Sequence, residues 1–184
     1  MTNFIILILL LACGSSEKKN HIYWKSEIDL KIADFQAKVR SDSRKAAISS
    51  IGFENEFISK PRKGLVKFSI KVFFDKDKSW IKNGYKNDYT LRHETYHFHI
   101  AELFARKLRK KVLKDNLTRM NYNEKFNVIF KNIHSDYLKF QERYDIETGF
   151  QESKEDQMKW QQKIDTELEL YTKYKNPIVD IPYK

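Results

Sequence analysis

The segment Leu91-Arg92-His93-Glu94-Thr95-Tyr96-His97 contains the pattern H-E-x-x-H. On a helix, four residues advance about 400°, so His93 and His97 fall one turn apart on one face and can aim both imidazoles at a single metal ion. Glu94 is rotated by about 100° from His93, within reach of a water at that metal without taking a ligand position. Zinc lowers the pKa of a bound water toward about 7, and a carboxylate beside it can take the proton as the oxygen attacks a carbonyl. The chemistry to expect is metal-assisted peptide hydrolysis, with Glu94 as general base. A core or surface pair of histidines is the competing explanation, and it has to account for two histidines interrupting an apolar helix face. His99 falls off that face and reads as a solvated residue or as a support for the ligands. Glu102 stands four before Arg106, the spacing of an ion pair along one helix.

Two histidines do not complete a zinc site. The longer pattern with a third histidine is absent, because Ile100 and Leu103 stand where its Gly and His would be. The third ligand must come from further along the chain, where His134, Glu142, Asp145 and Glu147 are the candidates. Arg143-Tyr144-Asp145-Ile146-Glu147-Thr148 offers a phenol and two carboxylates at a helix end, where the backbone can turn back toward the site.

The elements that must position these groups are read from hydrophobic period. Ile22, Trp24 and Ile28 to Phe35 suggest a short strand or turn followed by a helical turn. Period two over Ala46–Ser59 (Ile51, Phe53, Phe57) and over Leu65–Phe74 (Val66, Phe68, Ile70, Val72, Phe74) predicts half-buried strands. Pro61-Arg62-Lys63-Gly64 between them predicts a hairpin turn, and the stretch around Trp80 and Ile81 reads as a loop. Steps of three and four then predict three helices. The first runs from Tyr89 to Lys114, the second carries Phe126 to Tyr144, and the third carries Trp160 to Tyr174 before Pro177 and Pro182 stop it. Strands first and helices after them predict an α+β domain, a small antiparallel sheet with three helices on one side.

Composition limits the alternatives. A chain of 184 residues is one domain, and its five glycines show no G-x-G spacing, which excludes phosphate-cradling loops. The single cysteine excludes disulfide frameworks and Cys-rich zinc modules. That residue, Cys13, follows the apolar run Phe4–Ala12, which is too short to span a bilayer. Leu10-Leu11-Ala12-Cys13 looks like a lipobox, although no Lys or Arg precedes the run. The expectation is a signal peptide over 1–12, a tether over 13–21 lipidated at Cys13, and a folded domain over 22–184. The protein would then sit in the cell envelope on a membrane through its lipid, with the outer membrane as the default.

A family resemblance joins these observations. His93-Glu94-x-x-His97-Phe98, continuing through Ile100-Ala101-Glu102 to Ala105-Arg106-Lys107-Leu108-Arg109, resembles the signature of a bacterial family catalogued as a domain of unknown function and described as predicted secreted zinc-dependent proteases. Trp24 with Asp34-Phe35, Ser79-Trp80, and Tyr144-Asp145-x-Glu147-Thr148 followed by Gln157 and Trp160 resemble the rest of its pattern. The resemblance implies a zincin-like fold, a zinc cofactor and a peptide or protein substrate. Many members carry a His after the Tyr-Asp-x-x-Thr segment, and Phe150 stands near that place here. That departure points to Asp145 as third ligand with Glu147 as runner-up, and to Tyr144 as a hydrogen-bond donor to the tetrahedral intermediate.

With 35 Lys and Arg against 25 Asp and Glu, the chain carries a net charge of +10. Arg106, Lys107, Arg109, Lys110, Lys111 and Lys114 cluster at the end of the first helix, where cations complement the helix dipole. The expectation is a solvated lysine-rich face, with nucleic acid an unexpected partner and anionic lipid the easier one. A substrate peptide is expected to pair with the hairpin edge at Leu65–Phe74. The alternative to an active peptidase is a catalytically silent binding lipoprotein on the same scaffold.

Overall fold

The computed structural model describes residues 20–40, 42–58, 65–115, 122–149 and 153–182. Residues 1–19, with the apolar run, Cys13 and most of the expected tether, lie outside them, as do the turn at 61–64 and Phe150. The folded part begins before residue 22: Asn20 donates from its side-chain amide to Asp77, and His21 is already in strand β1, His21–Tyr23.

Two further strands precede the long central one: β2 is Ala47–Ile48 and β3 is Ile51–Phe57. The central strand β4, Leu65–Asp75, organises the main sheet. Its alternation turns Phe68, Ile70, Val72 and Phe74 to the helices, each no more than 2% exposed. β3 pairs antiparallel along one edge, from Ile51↔Phe74 to Phe57↔Phe68. β1 pairs at His21↔Asp75 to Tyr23↔Phe73, and a last strand, β6 (Ile178–Pro182), pairs at Leu65↔Pro182 to Ser69↔Ile178. Both registers overlap that of β3, so β1 and β6 must share the opposite edge of β4, end to end. Gly52 of β3 makes room for the Phe73 ring, which a Cβ would strike; that ring stacks on His21 at 4.1 Å.

The α+β class with a small antiparallel sheet and three helices is as expected, with several differences. The predicted hairpin is present as the β3–β4 pair, but β4 is bonded on both sides and is not an edge. Among the described residues the outer strands are β3 on one side and β1 with β6 on the other, so a peptide cannot pair with Leu65–Phe74 as expected. Trp80–Ile81 is not loop but strand β5, antiparallel to β2 through Ala47↔Ile81 and Ile48↔Trp80. Strands do not all precede helices, since β6 returns to the sheet and buries Val179 and Ile181.

Helix α1, Asp88–Lys114, starts where the Asn87 side chain accepts from Thr90 N. It forms a middle layer, touching β4, β3 and β6 on one side and the other two helices on the opposite side. Residues from Ile100 to Arg106 are therefore buried all around the helix, as a core helix requires. Helix α2 is Tyr122–Gly149 and α3 is Lys154–Leu170. The third helix ends before Tyr171 and Tyr174, which occupy a turn and a short 3₁₀ helix.

The basic cluster also differs from expectation. Arg106 and Arg109 are buried and share Glu102: Arg106 Nε donates to Oε1 at 3.1 Å and Arg109 Nη1 at 2.8 Å. Arg109 also reaches Ile70 O at 2.6 Å and Tyr174 O at 3.0 Å, and Arg106 reaches Leu168 O at 2.5 Å. Lys107 pairs with Glu167 at 2.7 Å. Only Lys111 and Lys114 of the six are exposed, and Lys107 and Lys110 are half-buried. Middle-layer position explains this, because no face of α1 is free for six solvated cations. Among the described residues no helix is long and apolar enough to cross a membrane.

Candidate metal centre

Beginning in its second turn, α1 presents His93 and His97 toward α2, and their Nε2 atoms lie 3.1 Å apart. The second helix runs back against the first and brings Asp145 to them, with Oδ1 at 3.3 Å from His93 Nε2 and 2.8 Å from His97 Nε2. A tetrahedral zinc with bonds of about 2.0–2.1 Å separates its ligand atoms by roughly 3.3 Å. Three atoms of the right chemistry already stand near that spacing, so His93, His97 and Asp145 fit a zinc-sized cation. The Glu94 carboxylate lies beside the two histidines, one ligand atom from each of His93, Glu94 and His97 falling within 4.8 Å of the others. Glu94 itself is buried.

The surroundings are organised by α2. The Tyr144 ring is fully buried, stacked on His93 at 4.7 Å and edge-on to His97 at 5.0 Å. Its hydroxyl meets the His93 backbone carbonyl at 3.4 Å. Thr148 Oγ1 lies 3.2 Å from His93 Nδ1, and Gln141 Oε1 makes a short contact with His97 Nδ1. Tyr89 O–H, in the first turn of α1, donates to Thr148 O at 2.6 Å and holds the end of α2 in place. The imidazoles are nearly enclosed, at 12% and 14% side-chain exposure, whereas Asp145 is 35% exposed, so the open side of the cluster is the carboxylate side.

The electrostatics follow from this crowding. Burial pulls the His97 pKa down, but the charge and hydrogen bond of Asp145, helped by Glu94 and Gln141, outweigh it and set the group at about 9. Burial would raise Asp145, yet the two histidines hold it well below the usual carboxylate range. Burial, then the Glu94 charge, push the Tyr144 phenol far up. Burial pushes Tyr137 up to about 12.

The remaining sequence candidates lie elsewhere. Glu147 accepts from Arg143 Nε at 2.6 Å and from Trp160 Nε1 at 2.9 Å, and it makes no contact with the histidine pair. His134 stacks on Phe130 at 5.6 Å and abuts Phe53 and Tyr137. Glu142 is exposed on α2. His99 is half-buried and away from the ligands, its Nδ1 accepting from Trp24 Nε1 at 3.0 Å on the other side of α1. Tyr144 differs from a substrate-facing hydroxyl in being enclosed and directed at backbone. Gln141 was not foreseen, and Thr148 had no role assigned. The signal was available in spacing, because Tyr137, Gln141, Tyr144, Asp145 and Thr148 recur at steps of one, three and four along one stripe of α2.

No family model, curated protein or solved structure matches the chain.

Proposed function

We propose that the chain is a zinc-dependent metallopeptidase of zincin-like type, related to the secreted family its motifs resemble and held in the cell envelope by a lipid on Cys13. The observation that carries the reading is the convergence of His93 Nε2, His97 Nε2 and Asp145 Oδ1 within 2.8–3.3 Å from two separate helices. Two imidazoles and a carboxylate are a donor set suited to zinc with one position left open. When bound, zinc would polarise a carbonyl and lower the pKa of water toward about 7. Glu94 accepts the proton as the water oxygen bonds to the peptide carbon, and returns it to the nitrogen as the C–N bond breaks. Its burial beside the histidines keeps that carboxylate close to the reacting atoms. Tyr144 supports both imidazole rings from below, and the more exposed Asp145 side is where a peptide enters.

Metal content of purified protein and turnover of a peptide library test this together. One zinc per chain should be present in wild type and lost in His97→Ala. Glu94→Gln should keep the metal while hydrolysis falls by about 10²-fold or more. Zinc retained with no hydrolysis in wild type would leave a metal-binding lipoprotein and remove the peptidase.

A further inference from the structure

We propose that Gln141 and Thr148 are positioning residues that hold His97 and His93 with the proton on Nδ1, so that both Nε2 lone pairs face one divalent cation. This rests on the metal-centre reading above. A backbone carbonyl can only accept. Tyr144 O therefore receives the Thr148 hydroxyl proton at 2.7 Å, which leaves the Thr148 oxygen to accept from His93 Nδ1 at 3.2 Å. His97 O receives an amide proton from Gln141 Nε2 at 3.2 Å, which fixes the orientation of that amide and turns its Oε1 to His97 Nδ1. An amide oxygen also only accepts, so His97 Nδ1 is the donor. The Gln141 amide is locked by a further hydrogen bond at 2.8 Å to the hydroxyl of Tyr137, itself 1% exposed. Rotating it would orphan buried groups, a costly change. A cation arriving at Nε2 therefore meets imidazoles whose remaining proton and ring orientation are already set. Simple packing between α1 and α2 gives no reason for an oxygen acceptor on each Nδ1.

Zinc affinity of the full chain, measured by chelator competition, tests the proposal alongside the visible spectrum of the cobalt(II) form and the metal-free melting midpoint. Gln141→Met and Thr148→Val should each weaken zinc binding by about 10–100-fold and alter the cobalt spectrum. Thr148→Ser, which keeps the hydroxyl that accepts from His93 and donates to Tyr144 O, should stay close to wild type. Wild-type affinity in the Met and Val variants would overturn the positioning role while leaving the metal centre standing. An equal loss in Thr148→Ser that tracks only its melting midpoint, or an unchanged cobalt spectrum in Gln141→Met, would reduce that residue to packing. Failure of wild type to bind zinc or cobalt would overturn the metal centre and this inference together.

Discussion

Asp145 and His97 hold each other in their charged forms, and the consequence is a defined pH window. His97 titrates at about 9, above its ordinary 6.5, so its contribution to the fold is complete below pH 6.5 and is lost as pH climbs through about 9. Asp145 is shifted down from 3.8, so its contribution is present above that value and is lost as pH falls through its depressed range. The metal-free pair is therefore most stabilising between about pH 4 and 6.5. The same proton stands in the way of a cation, because imidazole must be neutral to coordinate. Zinc binding at pH 7 should release at least about one proton per ion, with the His97 share fading above pH 9. Calorimetry in buffers of different ionisation enthalpy measures this, and no release at pH 7 would mean that His97 was already neutral.

Helix α1 carries two unlike polar sites on one length of backbone, the open cluster around His93 and the sealed Glu102–Arg106–Arg109 triad. The triad joins α1 to β4 through Ile70 O, to the end of α3 through Leu168 O and to the following 3₁₀ turn through Tyr174 O. Removing its shared anion leaves two buried guanidinium groups without their carboxylate, so Glu102→Ala should cost about 3–5 kcal/mol in denaturant unfolding. Lys111→Ala, on the exposed side, should change stability by no more than about 0.5 kcal/mol. The contrast also shows what a sequence can carry. The periods of β3, β4, α1 and α2 were legible because each runs for seven residues or more. β5, with two residues, is too short to show a period, and β6, with five, ends in Pro182 and reads as a helix stop. His93, Glu94 and His97 were legible because their spacing is local to one helix. The burial of Arg106 and the part played by Gln141 depend on which elements lie across from them, and charge or amide chemistry alone does not reveal that.

For the whole molecule, α1 and α2 each supply part of one centre, so a bound cation should act as a clasp between them. Zinc at a hundredfold excess over its dissociation constant stabilises the folded state by about 2.7 kcal/mol. For a chain of this size that corresponds to a rise in melting midpoint of about 5–10 °C. His97→Ala should show no such rise in a thermal scan, and an equal rise in both proteins would place the cation elsewhere. The end-to-end arrangement of β1 and β6 on one edge of β4 has a different bearing, on the order in which the fold closes as the chain emerges. Residues 65–69 wait for residues 178–182 before that stretch of edge is covered. A nascent chain that has emerged only as far as α3 already contains both histidines and Asp145, yet still offers an open ladder to any neighbouring strand. For a chain that emerges N-terminus first, then, the groups for the chemistry are in hand before the sheet beneath them is closed, and that interval is when it most needs shielding from its own copies.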